Sequence, residues 1–304
     1  MSISIFHSLR QGRGLAATLR VGLSALGGPG EALTSLPGPP LVETVAPPAP
    51  QLVADAVRWA GGDPKSYGQT LPPWLFAQWG MPLFARLLAD APYAALKVIN
   101  QGCSLRVNQP LPAGQPLHLS AHIVDVRDEP TKVRLHLALT TGTDAVPDAQ
   151  VVEMFMVMPK AAPTGDKAAK RGPRAKPMVD PAWSEVAEFR NSAIAGREFT
   201  LLTGDFNPIH WIPFAARASG FKSCILHGFG TVARSLEHVA KSRWAHGMHA
   251  FAALDVRFTA PLVLPGTARV FLGPPSADHA RQRGLAVGKA LGGKAYLVGT
   301  VETR

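Results

Sequence analysis

The apolar positions of this chain repeat at two spacings, and the spacings fall into two similar sets. In the first set, Leu52, Ala56 and Trp59 recur at helical intervals and predict a helix over 51–60. A shorter apolar helix from about Met81 to Ala89 follows. Strand-like runs then fall near 96–109, 115–127, 131–141 and 149–159. The second set predicts strands near 197–202, 249–259, 266–272, 281–290 and 294–302. Its helices lie near 213–219 and 229–243, the latter marked by Val232, Leu236, Val239 and Ala240. The first 50 residues, rich in Gly, Pro and Arg, show no such core. A weak helix lined by Arg10, Arg13 and Arg20 ends near Gly27–Gly28, so residues 1–45 read as an extended N-terminal arm, solvated or wrapping a second copy.

The two sets share a short repeat. Leu105-Arg106-Val107-Asn108-Gln109-Pro110-Leu111 aligns with Val256-Arg257-Phe258-Thr259-Ala260-Pro261-Leu262 at an offset of 151, and each copy is followed by a glycine, Gly114 or Gly266. Trp79-Gly80 precedes the first copy much as His227-Gly228 precedes the second. This pattern predicts duplicated units of helix plus antiparallel sheet. The expected divisions are a first unit at 46–160, a basic Pro/Gly/Ala linker at 161–181, and a second unit at 182–304.

The candidate chemistry lies only in the second unit. Gly204-Asp205-Phe206-Asn207-Pro208-Ile209-His210 places a carboxylate and an imidazole five residues apart around a turn. Asn207 can cap a helix that Pro208 opens, because Pro has no N–H to leave unsatisfied there. Asp205 and His210 can then face one cavity and share a water, the parts needed to add water to a polarised double bond or remove it. A metal would need more than one Asp and one His, and no third ligand stands at HExxH or HxH spacing, so no metal is expected. Further on, Cys224-Ile225-Leu226-His227-Gly228-Phe229-Gly230-Thr231 leads into a helix. The Gly228 N–H at that helix start can hold a carbonyl oxygen as negative charge develops on it. The same glycines could instead serve close packing alone. His227 is expected to bond the backbone that shapes this turn.

The stretches FTLLTGDFNPIH (Phe199 to His210) and ILHGFGTVA (Ile225 to Ala233) resemble the signature of the MaoC-like dehydratases, also called (R)-specific enoyl-CoA hydratases. The Gly-Asp-x-Asn-Pro-x-His motif matches at every defining position. Trp211 departs from the smaller residues usual after the His. The resemblance implies an α+β double hotdog: two tandem units of antiparallel sheet wrapped around a helix, with the central helix of the first unit shortened or lost. It places the catalytic pair on Asp205 and His210, the supporting Asn on Asn207 and the thioester oxyanion N–H on Gly228. Phe206, Trp211, Phe229 and Gly230 are the accompanying substrate-contacting candidates.

The activity so implied is reversible hydration of 2-enoyl thioesters to (3R)-3-hydroxyacyl thioesters. In the expected mechanism the carboxylate takes a proton from the water as oxygen attacks C3. The imidazole orients that water and delivers a proton at C2. No cofactor is required. The first unit lacks the motif and is expected to leave room for an acyl chain. Rival readings are a hotdog thioesterase, which would direct the water at the carbonyl, and a non-catalytic acyl-thioester binding module.

Charge narrows the partners. Residues 1–158 carry 11 Lys/Arg and 11 Asp/Glu, residues 159–180 carry 6 and 2, and residues 181–304 carry 14 and 8, so the whole +10 lies in the linker and the second unit. That suits a polyanionic carrier, coenzyme A or an acyl carrier protein. The basic residues form no aromatic–basic ladder or finger spacing, so nucleic acid is not expected. No stretch approaches the roughly 18–20 apolar residues of a membrane span, and the arm's apolar run is too interrupted for a secretory signal. Cys103 and Cys224 are too few for a disulfide framework. The expectation is a cytoplasmic protein, either a monomer of two fused hotdogs or a homodimer.

Overall fold

Two strands at the centre of the molecule carry the repeated motif and pair with each other. They are β2 (Ile99–Val107) and β7 (Phe251–Phe258), antiparallel, with Gly102 opposite Arg257 and Arg106 opposite Ala253. In this register Ser104 faces Asp255, which is also its equivalent at the offset of 151. The duplication therefore folds about a pseudo-twofold axis through that pair. The computed structural model describes residues 3–27, 36–89, 98–160 and 176–304.

The other strands are β1 (Leu41–Val45), β3 (Leu117–Glu129), β4 (Lys132–Gly142), β5 (Gln150–Pro159), β6 (Ser184–Asn191), β8 (Gly266–Pro275), β9 (Gln282–Gly288) and β10 (Ala295–Thr303). Among the described residues, all ten make one sheet in the order β1-β3-β4-β5-β2-β7-β10-β9-β8-β6. Read outward from the centre, the two halves have the same connectivity, as the duplicated hotdog arrangement requires. The sequence missed β1 and β6, the two edge strands. β1 is only five residues long, and β6 shows little alternation to detect.

The helices are α1 (Gly12–Gly27), α2 (Pro50–Ala60), α3 (Ala77–Ala89), α4 (Ala195–Thr203), α5 (Pro213–Ala218) and α6 (Gly228–Arg243). α3 lies on the first half-sheet and α6 on the second. Carrying the 151-residue offset to the helix starts equates Ala77 with Gly228, three residues before the Trp79-Gly80 pairing read from the sequence. α3 is described over 13 residues against 16 for α6, so the central helix of the first unit is not lost. Trp79 and Phe84 of α3, with Trp74 and Phe76 just before it, are all fully buried, and burial of side chains of this kind stabilises by about 1.5–3 kcal/mol each.

Two expectations need correcting. The strand expected at 197–202 is part of α4, because Ala195, Phe199 and Leu202 are buried at helical spacing. The arm is helical, not extended, over most of 5–27, and among the described residues it is a strand only at its end, in β1. A short 3-10 helix, Ile5–Arg10, leads into α1, and Ile3, His7, Gln11 and Ala17 are buried against the same chain. His7 Nε2 lies 2.9 Å from Asp55 Oδ2, and Arg13 pairs with Glu43 at 2.8 Å. Of the expected linker, 161–175 lie outside the described residues. Its end crosses the outer face of the second half-sheet, where Val179 is buried with Phe271, Ala286 and Ala295. Among the described residues no helix is long and apolar enough to cross a membrane.

Candidate active site

The site is built where α4 stops. Its last turn is closed by Gly204, whose positive φ of 75° lets its N–H reach Thr200 O at 2.8 Å. Asp205 follows at once and is half-buried. Its Oδ1 accepts the backbone N–H of Asn207 at 3.2 Å. The Asn207 side chain in turn accepts the N–H of Ile209 at 3.3 Å and caps a short 3-10 helix, Pro208–His210, with Pro208 at its first position. Asn207 is thus spent as the cap. It orients Asp205 through its backbone, not through its side chain.

His210 is fixed from two sides. Its Nδ1 donates to Ile225 O at 2.8 Å, the carbonyl acceptor requiring the proton on that nitrogen. In the neutral ring Nε2 then carries the free lone pair. Gly196 of α4 allows the close approach, since a Cβ there would lie 2.0 Å from His210 O. Burial holds the His210 pKa below the ordinary value of 6.5, although Asp205 and the Ile225 bond both favour its charged form.

The sequence placed His227 only in the turn, but the structure brings it into the cluster. Its ring stacks on His210 with centroids 3.6 Å apart, and Phe199 covers its surroundings at 4.9 Å. His227 Nε2 lies 3.3 Å from Asp205 O, a backbone contact to the motif turn and not to the turn of its own segment, and 3.9 Å from Asp205 Oδ2. The side chain is 2% exposed, and its Nδ1 is buried with no hydrogen-bond partner. Burial, and then the neighbouring His210, push its pKa well below 6.5, so this ring is held neutral. The signal that could have found it is its place directly before Gly228.

Potential ligand atoms of Asp205, His210 and His227 all lie within 4.8 Å of one another. The third donor missing from the sequence reading is therefore present. The arrangement still fits a tetrahedral ion poorly, because donors about 2.0–2.1 Å from one ion sit roughly 3.4 Å apart. The two rings, moreover, lie nearly parallel, at 25°, so their lone pairs do not converge on one point. Nδ1 of His210 is already committed to Ile225.

Gly228 opens α6 with His227 at the N-cap position. First-turn amides have no carbonyl of a preceding turn to donate to, and they lie at the positive end of the helix. The Phe258 ring occupies the space of a side chain at Gly228, with atoms 2.6–2.9 Å from an ideal Cβ. The glycine thus serves packing and leaves its amide unshielded by a side chain. Trp211 is 38% exposed, and its Nε1 donates to Phe206 O at 3.2 Å, so these two flank the open side of the turn. Phe229 and Gly230 do not. Phe229 is 4% exposed with its ring edge-on to Phe76 and Phe258, and Gly230 is buried against Trp59 and Leu226. Both side-chain positions turn inward at the helix start, which places them in the core between the units.

Residues 181–273, which hold this whole site, match the family described as the MaoC like domain. The chain is 25% identical over 185 residues to the 3-hydroxyacyl-thioester dehydratase X of Mycobacterium tuberculosis, an alignment covering 60% of this chain and 62% of that protein. The crystal structure of HtdX from the same organism superposes with a TM-score of 0.67 at 21% identity, covering 87% of this chain and 100% of that one. A second M. tuberculosis protein, solved as a double hotdog fold, superposes with a TM-score of 0.54 at 15% identity over 90% of this chain and 99% of that one.

Proposed function

We propose, with residues 181–273 forming a MaoC-like dehydratase domain, that this protein reversibly hydrates 2-enoyl thioesters to 3-hydroxyacyl thioesters. One observation carries the reading: His210, tied by Nδ1 to Ile225 O, is held beside Asp205 with Nε2 left as its reactive atom. The thioester carbonyl takes the Gly228 N–H, which draws electron density from C3. Asp205 accepts one hydrogen of the water and His210 Nε2 the other. As the water oxygen bonds C3, Nε2 takes its proton and returns it to C2, so one water is consumed and both residues are regenerated.

This revises the proton path expected from the sequence. A neutral imidazole whose only N–H is committed to Ile225 has no proton of its own to deliver, so it must first act as the base. His227 keeps the Asp205 backbone in place through its Nε2–H.

Coenzyme A or an acyl carrier protein is the carrier we favour, supported by the net charge of +10 and by exposed Arg217 and Lys222 between the two site segments. The two units pair within one chain, which supports a monomer of fused hotdogs. Buried, unpaired Cys103 and Cys224 suit the reducing cytoplasm. The reading is tested by following loss of enoyl-thioester ultraviolet absorbance on crotonyl-CoA, octenoyl-CoA and dodecenoyl-CoA. Loss with a (3R)-hydroxyacyl product supports it. Release of free thiol would replace it with a thioesterase.

A further inference from the structure

We propose that Gln11, far from the motif in sequence, is a positioning residue that holds the catalytic turn in place from the N-terminal segment. A helix end leaves its last carbonyls without intrahelical partners. At the end of α4, immediately before Asp205, those carbonyls receive Gln11. Its Nε2 donates to Leu201 O at 3.1 Å and to Leu202 O at 3.0 Å. The side chain is 2% exposed. Its Oε1 lies 2.8 Å from the point a Cβ on Gly204 would occupy, so it rests against the backbone that carries Asp205.

Gln11 is itself fixed. It joins the 3-10 helix to α1, with its N–H on Ser8 O and its carbonyl receiving Leu15 N, both at 3.0 Å. One turn on, Gly14 brings α1 onto the same residue, where a Cβ would stand 2.5 Å from Gly204 O. The buried contact of His7 with Asp55 anchors the segment to α2. Two independent approaches thus meet at Gly204, whose successor is the catalytic carboxylate. The catalytic half of the chain is incomplete without residues some 190 positions away.

The test uses the full chain. Gln11→Met keeps length and volume but removes both donors, whereas Gln11→Lys restores a donor at a helix end that favours positive charge. The kinetic arm rests on the hydratase reading. It is expected to show kcat lowered at least tenfold in Gln11→Met with KM within twofold, and most of kcat regained in Gln11→Lys. The second arm is amide hydrogen exchange, which requires no activity. Residues 203–209 should exchange faster in Gln11→Met while β8 and β9 stay as in the wild type. Unchanged exchange at 203–209, or faster exchange across β8 and β9 as well, overturns the proposal. Where the wild type hydrates enoyl thioesters, an unchanged kcat does so too. An inert wild type with the local exchange change would fault the hydratase reading alone.

Discussion

The rings of His210 and His227 lie face to face, with centroids 3.6 Å apart and 25° between their planes. Only one polar atom of the pair, His227 Nδ1, is buried without a partner. Two imidazoles stacked and withdrawn from solvent in this way resist protonation, and both are held below the ordinary histidine value.

The first prediction is a pH profile. Hydration requires the neutral form of His210, so kcat/KM should stay flat down through pH 6.5 and fall only below it. An acid limb centred at or above 6.5 would contradict this. Stability follows the same sign. The unfolded rings bind protons more readily than the folded ones, so the two histidines make the protein less stable as pH falls below 6.5. Histidine NMR titration would show both rings still neutral where free histidine is half-charged.

Asp205→Asn and His210→Ala should each lower kcat by about 10²–10⁴. Circular dichroism and melting temperature should remain close to wild type, because neither side chain belongs to the buried apolar core. Wild-type rates in both variants would remove the proposed mechanism.

Gly228→Ala introduces a methyl 2.6–2.9 Å from Phe258 ring atoms, so the ring or the start of α6 must shift. Displacing the amide proposed to hold the thioester oxygen should reduce kcat by about 10²–10³. The double variant Gly228→Ala/Phe258→Ala makes room for the methyl and should recover at least tenfold. A single variant as active as wild type would mean that the amide does not hold the thioester oxygen.

Glu237 on α6 supplies a separate stability test. It is buried, and it accepts Tyr67 Oη at 2.5 Å and Trp74 Nε1 at 2.9 Å on one oxygen, Oε1. Burial pushes its pKa up to about 7, despite those two donors. Between pH 4.5 and 7 the unfolded carboxylate is ionised while the folded one stays protonated, so its contribution to stability is lost as pH rises. Glu237→Gln keeps an acceptor for both donors and cannot ionise. Its melting temperature should gain on the wild type between pH 5 and pH 8. A difference independent of pH would show that Glu237 is ionised throughout.

Central strands and edge strands differed in how well the sequence showed them. β3, β4 and β5 were found within a few residues, because a strand with one face on the core must alternate. β1 and β6 were missed because β1 spans only five residues and the edge strand β6, hydrogen-bonded on one side only, stays largely polar. Phe199 to Leu202 looked like a strand because a short apolar run fits either period. The helix was decided by Gly204, which could close it, and by Trp59, whose ring packs against Phe199 at 5.0 Å.

By itself the sequence determined the duplication and the local chemistry of the turn, while the pairing of the two repeated strands came from the structure. Capping by Asn207, the proline at the helix start and the five-residue interval from Asp205 to His210 are all short-range relations. Only the tertiary structure decided what surrounds that turn. It stacked His227 on His210 across 17 positions and spent Nδ1 on Ile225. It also carried Gln11 from the far end of the chain to the carbonyls before Asp205. Each of these joins groups distant along the chain, and such groups meet only when burial of a shared core makes the loop between them worth closing.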